Sequence, residues 1–474
     1  MFAAPARRRR RRRAVAVAGR GARLSIARLC VWPLAILVIW FAAPALAQSP
    51  QEPPQEPMDR RVAREGNAVR FPPPQTPELR LTPGLNLANA PMPGVVAAAV
   101  QMPGMDMPGM QMPGTPTVPR WQFMSDAVIF GVFNRQGGPR GDTEFRAPNW
   151  WMGMWARPVG RGSFQIGTML SLDPATATSR GYSELFQAGE TLDGRPIVDR
   201  QHPHDLVMQL AAVWHRPLAN GLTLTLAGAP IGEPALGPVA FMHRASAAEN
   251  PAAPLGHHTM DSTHIAMGVI TAGLARGIWT AEGSLFNARE PDENRWDVMD
   301  PGPIDSWSAR VWLRPRANWE LQVSHGLLRN PEALEPGDLR RTTASIGWLR
   351  QAAGNFTAAA VVVGHNNSDH GAATGALAEL TRRAGRTSAY TRLEVQQVEA
   401  ALLLDRVIGD TESGHHDSVV ALTLGAVRDL AGVKKVDVGV GFDVTAYRVP
   451  ALLQPAYGAR PVSFHIFLRL RPTG

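Results

Sequence analysis

The sequence predicts an all-β protein: an antiparallel transmembrane β-barrel of about sixteen strands, preceded by a disordered segment rich in proline and methionine. Three observations predict it. Short runs of alternating polarity fill the chain after residue 120, each run is about as long as a strand that crosses a bilayer, and the connections between runs alternate in length. Strands with one apolar and one polar face suit a barrel that meets lipid outside and water inside.

Residues 1–47 have the features of a cleaved export signal. Ten of the 48 basic residues lie before residue 48, including the run Arg7–Arg13, and no acidic residue does. An apolar stretch at 29–43 precedes Ala45 and Ala47, the small residues that a signal peptidase accepts. Removing the leader leaves 38 basic against 40 acidic residues, so the formal charge of +8 becomes −2. We therefore expect export through the inner membrane and no nucleic-acid partner.

Residues 48–120 are predicted to be disordered, since 16 prolines fall between positions 48 and 119. Proline fixes φ and removes a backbone donor, so neither a helix nor a strand ladder can extend through this segment. The same segment carries closely spaced methionines, whose thioethers are soft ligands for Cu(I). The candidate metal ligands here are Met102, Met105, Met107, Met110 and Met112.

The barrel is expected over 121–474. In the clearest run, Val436, Val438 and Val440 alternate with Asp437, Gly439 and Gly441. Two of the runs, 262–274 and 373–383, alternate poorly, so 14 or 18 strands stay open. The sixteen runs lie near 122–134, 148–157, 162–171, 205–216, 221–230, 262–274, 277–288, 305–315, 318–328, 340–351, 355–365, 373–383, 387–397, 417–428, 434–447 and 461–472.

The connections fix the predicted orientation. Short turns join runs 2–3, 4–5, 6–7, 8–9, 10–11 and 12–13, and longer segments join the others. Short periplasmic turns, long external loops and an even strand count leave both termini in the periplasm. A soluble β-sandwich is the alternative, but it does not require this order of loop lengths. Aromatic residues near the run ends suit an interfacial girdle: Trp150, Trp151, Trp155, Trp279, Trp307, Trp319, Trp348, Tyr390 and Tyr447.

Two sets of polar residues are candidates for function. The polar faces of the runs would line the lumen with charges of both signs: Arg310, Arg314, Glu320, Arg392, Glu394, Asp437, Asp443 and Arg469. Histidines cluster in the long connections, at one mouth of the barrel, where imidazoles and carboxylates could bind Cu(II), Zn(II) or Ni(II). These candidate ligands are His202, His204, His243, His257, His258 and His264. In the alternative, the same side chains order the loops and fold them into the lumen as a plug.

An enzyme is not expected. The sequence has no GxSxG elbow, no phosphate-binding Walker loop, no dinucleotide fingerprint after a strand and no HExxH. These patterns are the ones that place a nucleophile, a phosphate or a catalytic metal in most hydrolases and nucleotide enzymes.

Four strings resemble a family of largely uncharacterised predicted outer-membrane proteins of Gram-negative bacteria. They are Asp199–Asp205, Phe241–Arg244, Pro254–His264 and Glu282–Asp297, and the resemblance extends over roughly residues 120–472. It implies a porin-like barrel and no established activity. A Met-rich segment before a barrel is also similar in arrangement to copper-resistance outer-membrane proteins.

The predicted function is therefore a passive or weakly selective solute channel in the bacterial outer membrane. Two alternatives stay open: handling of copper or another soft metal, and a plugged structural or adhesion barrel. Expected partners are outer-membrane lipid, periplasmic chaperones and the barrel-assembly machinery. Copper is the candidate cofactor, and the sequence sets no oligomeric state.

Overall fold

The computed structural model describes residues 121–261, 266–298, 301–334, 336–352, 355–369, 371–404, 416–430 and 436–472. The predicted leader, the Met-rich segment and His264 lie outside the described residues.

In the described residues, seventeen strands form one sheet that closes on itself. The first, β1 (Gln122–Arg135), pairs with the last, β19 (Val462–Pro472), and this pairing closes the barrel. On its other side β1 pairs with both β2 (Thr143–Arg146) and β3 (Asn149–Val159), so these two strands share one position. The barrel therefore has sixteen positions, with every neighbour antiparallel, as the sequence predicts.

Each of the sixteen predicted runs overlaps a barrel strand, including the two that alternate poorly, which correspond to β9 (Ala266–Arg276) and β15 (Gly371–Ala384). The remaining barrel strands are β4 (Gly162–Leu170), β7 (Val207–Pro217), β8 (Leu222–Gly232), β10 (Trp279–Asn287), β11 (Ser306–Arg316), β12 (Trp319–Arg329), β13 (Asp338–Ala352), β14 (Asn355–Ser368), β16 (Thr387–Glu399), β17 (His416–Asp429) and β18 (Val436–Arg448).

The barrel presents apolar side chains to its surroundings and buries polar ones, the reverse of a soluble protein. On β19, Ile466 and Leu468 are exposed, whereas the alternating His465 and Arg469 are buried. Val323, in the middle of β12, is 58% exposed. None of the helices in the described residues has the length and apolarity needed to cross a membrane. The apolar outside and polar inside of the barrel exclude the soluble sandwich and indicate that the strands face lipid.

The two ends of the barrel differ as predicted, with one exception. Turns such as those between β3 and β4 and between β15 and β16 are short, and the chain enters and leaves the barrel at this periplasmic end. The exception lies at the external end, where β14 and β15 extend until Ser368 pairs with Gly371. The sequence predicts a longer loop between these two strands, and that prediction is wrong. His365, expected beside that loop, lies in β14 and points outward, where its Nδ1 is 2.9 Å from the Thr374 hydroxyl.

Three members of the predicted aromatic girdle, Trp150, Tyr390 and Tyr447, point into the barrel. The Tyr390 hydroxyl donates to Asp443 over 2.7 Å, and Tyr447 packs on Phe186 with ring centroids 5.3 Å apart. A tyrosine hydroxyl inside the barrel finds a polar partner that lipid does not offer, and this decides its direction. Trp279 and Trp307 are exposed on the outside, as a girdle requires.

A hairpin outside the barrel sheet covers part of the external mouth, and the sequence does not predict it. It consists of β5 (Tyr182–Leu192) and β6 (Arg195–Gln201). Phe186 stacks on Tyr457 at 4.5 Å between ring centroids, and the Tyr457 hydroxyl donates to Asp199 over 3.0 Å. Among the described residues, four short α-helices lie in the connections: α1 (Asp173–Thr176), α2 (His257–Met260), α3 (Ala400–Leu404) and α4 (Gln454–Tyr457).

Candidate functional site

The connection between β8 and β9 runs through the inside of the barrel. We call residues 233–261 the lumen segment. Its backbone donates hydrogen bonds to side chains that point inward from opposite parts of the barrel wall. Gly237 N–H donates to the Ser324 hydroxyl on β12 over 2.8 Å, and Leu255 N–H donates to the Glu394 carboxylate on β16 over 2.7 Å. Only a position inside the barrel allows one segment to reach these strands. The lumen is therefore narrowed by its own chain.

A buried cluster of charges holds the middle of the lumen segment. Arg244 donates to both carboxylate oxygens of Glu379, over 3.1 and 3.2 Å, and also pairs with Asp261. The Glu379 carboxylate also accepts from Arg392 over 3.1 Å and from the Ser246 hydroxyl over 3.0 Å. A two-pronged arginine–carboxylate pair fixes geometry as well as charge, so this cluster sets the register of the segment on β15 and β16.

A second anchor lies toward the periplasmic end. The Glu249 carboxylate pairs with Arg469 and, over 3.4 Å, with Arg471, both on β19. Arg469 also donates to Asp429 on β17 over 2.5 Å. Burial alone would raise the pKa of Glu249, but Arg471 and Arg469 together hold it below its usual range. The segment thus spans the lumen from the external mouth to the last residues of β19.

Most residues predicted to line the lumen have their side chains inside the barrel, paired with each other or with the segment. Arg310 donates to Glu282 over 2.9 Å and to the Gly237 carbonyl over 2.8 Å, while Arg314 pairs with Glu320 over 2.8 Å. Glu394, Arg392, Asp443 and Arg469 are buried, and Asp437 is exposed near the start of β18. Their charges therefore mostly neutralise one another.

Space remains beside the segment. A cavity of about 440 Å³, including its open mouth, lies between the lumen segment and strands β12–β14. Arg244, Ser246 and Glu320 contribute polar groups to its wall, and Val239 and Val362 contribute apolar ones. Glu320 stands near the β11–β12 turn, so the cavity occupies the periplasmic half of the lumen.

Three of the predicted histidine ligands converge at the external end. His202, just after β6, meets His257 and His258 of α2, and one potential ligand atom from each lies within 4.8 Å of the others. We call these three residues the histidine triad. The closest rings, those of His257 and His258, have centroids 3.9 Å apart. Burial lowers the pKa of His257 to about 3, so this imidazole is neutral at physiological pH.

The other described candidates lie outside the triad. The Nδ1 atom of His204 is 2.8 Å from Asp173. Burial lowers the pKa of His204, but the hydrogen bond and charge of Asp173 outweigh it, and the net shift is upward. His243 packs edge-on against Trp150 at 4.9 Å between ring centroids. These two residues make other contacts, and the three-histidine group does not include them.

One carboxylate, held by an arginine, adjoins the triad. The Glu190 carboxylate on β5 lies 3.1 Å from Nδ1 of His202 and accepts from Arg295 over 2.5 Å. Arg295, in the β10–β11 connection, also donates to Asp205 over 3.1 Å. Burial raises the pKa of Glu190 to about 7, against the opposing effect of Arg295. Three external connections therefore meet at this cluster.

The residues that anchor the lumen segment, Arg244, Glu249 and Glu379, are not singled out by motif or spacing. Composition does carry a signal, since 13 of the 23 residues at 234–256 are alanine, proline or glycine. An external loop that only meets water has no need of so many small residues, whereas a segment threaded through a filled lumen does. One carboxylate and one guanidinium in such a stretch mark its anchors.

No family model matches the chain, and no curated protein matches it. Solved outer-membrane barrels do. The anion-selective porin from Comamonas acidovorans has 8% identity over 74% of this chain and 100% of its own, with a TM-score of 0.45. OprB of Pseudomonas putida has 9% identity over 74% and 94%, with a TM-score of 0.43. OmpF of Salmonella typhi, in complex with daunomycin, has 8% identity over 74% and 97%, with a TM-score of 0.42. At these identities the likeness concerns the fold alone.

Proposed function

We propose that the protein is a porin-like channel of the bacterial outer membrane, passive and weakly selective. The observation that supports it most is the polarity of the barrel. Its outside is apolar, with Val323 and Leu424 exposed, while its inside carries buried charged pairs such as Arg310–Glu282. A polar lumen inside a lipid-facing barrel is the arrangement that lets hydrophilic solutes cross an outer membrane.

Charge pairing supports weak selectivity. Arg310 pairs with Glu282, Arg314 with Glu320, and Arg469 with Asp429 and Glu249. A lumen lined with one sign of charge would concentrate counter-ions, but adjacent opposite charges leave little net field. We therefore expect the channel to be similarly permeable to small cations and small anions.

The lumen segment supports a low conductance. It crosses the interior between its contacts with Ser324 of β12 and Arg469 of β19. The cavity of about 440 Å³ lies along one side of it. Because the segment fills much of the space beside this cavity, the proposal is limited to small solutes. The proposal includes no enzymatic activity. Its partners are outer-membrane lipid, with periplasmic chaperones and the barrel-assembly machinery needed for delivery.

Liposome swelling tests the proposal. The full-length mature protein is refolded into liposomes, and its barrel state is checked by heat-dependent electrophoretic mobility. Uncharged sugars of increasing size are then added outside the liposomes. We expect swelling with the smallest solutes and a sharp loss with larger ones. A folded protein that admits no solute of any size would contradict the channel and favour the plugged structural barrel.

A further inference from the structure

We propose that His202, His257 and His258 form a binding site for one divalent transition-metal ion of the zinc, copper and nickel class. The bound ion would tie the external hairpin to the lumen segment. This site is independent of the channel function, since neither the polarity nor the width of the lumen depends on it.

The spacing of the triad suits a metal ion. One potential ligand atom from each imidazole lies within 4.8 Å of the other two. Nitrogens bound to a single zinc ion at 2.0–2.1 Å lie about 3.3 Å apart. The observed limit of 4.8 Å exceeds this spacing by about 1.5 Å, a distance that rotations about the side-chain bonds can close. Three ligands leave room for a water molecule or a carboxylate in the fourth position.

Hydrogen bonds orient two of the rings for this role. Nδ1 of His257 lies 3.1 Å from the Pro254 carbonyl, and Nδ1 of His202 lies 3.3 Å from the Pro203 carbonyl. A carbonyl oxygen can only accept, so each Nδ1 carries the hydrogen, and each Nε2 presents the lone pair that binds a metal. Ligating histidines in metalloproteins are fixed in this manner by a backbone carbonyl or a carboxylate.

The Glu190 carboxylate, next to the triad, is a further group that supports a ligating histidine. Glu190 lies 3.1 Å from Nδ1 of His202, and Arg295 holds Glu190 from the other side over 2.5 Å. A negative charge beside a ligating imidazole raises its basicity and offsets the charge of a bound cation. The carboxylate beside His202 is therefore itself held in place by the β10–β11 connection.

The backbone brings the two halves of the site together. Gly189 of β5 has φ +142°, and a Cβ built there would lie 3.0 Å from Nε2 of His258. Gly364 of β14 lies below α2, and a Cβ there would come within 2.3 Å of the Thr259 carbonyl. Arg341 donates to the His258 carbonyl from β13. Two glycines and one arginine thus set α2 against both the hairpin and the barrel wall.

The ligand set determines the class of ion. Three imidazoles suit Zn(II), Cu(II) and Ni(II), whereas Ca²⁺ and Mg²⁺ require mainly oxygen ligands. Cu(I) prefers thioethers, which the triad does not supply. The two sides of the site come from different connections, with His202 after the hairpin and His257 and His258 in the lumen segment. A bound ion therefore acts as a cross-link at the external mouth.

The test uses Zn²⁺ as the probe, because thioethers of the Met-rich segment are poor ligands for it. The full-length mature protein in detergent is stripped with a chelator and titrated by calorimetry, and Co²⁺ is followed in parallel by its visible absorption. We expect one tightly bound ion per barrel and an absorption spectrum of tetrahedral or five-coordinate Co²⁺. Replacing His258 with alanine should weaken Zn²⁺ binding at least 100-fold, and Glu190→Gln should weaken it roughly tenfold.

Matched variants keep the test decisive. His325 lies exposed on the outside of β12, so His325→Ala should leave Zn²⁺ binding unchanged. A variant without Met102, Met105, Met107, Met110 and Met112 should also bind Zn²⁺ normally. If His258→Ala does not form a barrel, Glu190→Gln and His258→Gln provide the same comparison. Absent binding, or equal binding by the wild type and the folded His258 variants, would overturn the proposal, as would a loss confined to the Met variant.

Discussion

Glu379 is the carboxylate on which the buried charges of the lumen converge. Arg244, Arg392 and the Ser246 hydroxyl all donate to it, and Arg244 also pairs with Asp261. All of these groups are buried. Buried charges are tolerated when each has its partners, so a change to one member of this cluster affects the others.

The first prediction concerns Arg244→Ala. Removing this guanidinium deprives Asp261 and Glu379 of a buried partner, and the free energy of unfolding should fall by about 3–5 kcal/mol. Denaturant unfolding in lipid vesicles measures it. The control is Arg329→Ala, because Arg329 forms a largely exposed pair with Asp338, and such pairs contribute about 0–1 kcal/mol. Equal losses in the two variants would show that Arg244 is not part of a buried network.

The second prediction concerns pH and Glu249. Its lowered pKa means that the anchored state is stabilised above the ordinary glutamate value of about 4.3, and that this stability is lost as pH falls through the lower folded value. The groups facing Glu249 are Arg469 and Arg471 of β19, Arg383 of β15 and Ser388 of β16.

The measurement is the melting temperature of the wild type and of Glu249→Gln over a range of pH. The glutamine variant lacks the titrating group, so the wild type should be more stable at pH 7. This difference should shrink steadily as the pH falls below about 4. A difference that is the same at pH 7 and at pH 3 would mean that ionised Glu249 does not anchor the segment.

At the scale of single elements, the hairpin β5–β6 depends on aromatic packing. Phe186 has φ +67°, an unusual backbone conformation for a bulky residue, and it is nevertheless buried between Tyr447 and Tyr457. Residues held in such conformations persist only where their surroundings determine them. The packing of this one side chain therefore keeps the hairpin on the external mouth.

The third prediction is that Phe186→Ala releases the hairpin while the barrel stays folded. The substitution removes both ring contacts and leaves the unfavourable φ, so the hairpin should open and become sensitive to trypsin after Arg200, whose side chain is only 19% exposed in the closed hairpin. Phe145, which is 83% exposed, provides the control, and Phe145→Ala should leave cleavage unchanged. Resistance to trypsin in the Phe186 variant would mean that the hairpin is held mainly by its polar contacts.

The elements differ in how far the sequence predicts them. A strand with lipid on one side and polar groups on the other tends to alternate, so fourteen of the sixteen runs are clear and the two others, β9 and β15, alternate poorly. Strand β5 is buried on both faces over Tyr182–Gln187 and has no alternation to detect. The lumen segment has no periodicity, and its place inside the barrel depends on contacts with distant strands. His202 and His257 are 55 positions apart, so spacing alone does not bring them together.

For the whole molecule, the lipid-facing band is the feature that fixes its environment. Val311 and Val323 face each other across β11 and β12, and both are exposed on the outside of the barrel. In water such a band would promote aggregation, whereas in a bilayer it provides the energy of insertion. The leader predicted from the sequence lies outside the described residues and stays a prediction.

The fourth prediction tests this band. Val323→Arg places a charge near the middle of the lipid-facing surface and should destabilise the barrel by about 2–4 kcal/mol in vesicles. Leu334 is also exposed but lies in the β12–β13 connection, outside the strands. Leu334→Arg should therefore change stability by less than about 0.5 kcal/mol. An equal effect at the two positions would indicate that Val323 does not face lipid.

The measurement that tests the central claim most directly is conductance across a planar bilayer. The wild type is compared with a variant in which residues 234–260 are replaced by a short glycine–serine linker, after both are shown to form heat-modifiable barrels. We predict small single-channel steps for the wild type and steps several-fold larger for the variant, with little preference between cations and anions in the wild type. Unchanged conductance on removal of the segment would contradict the account, since the lumen would then not be narrowed by residues 233–261.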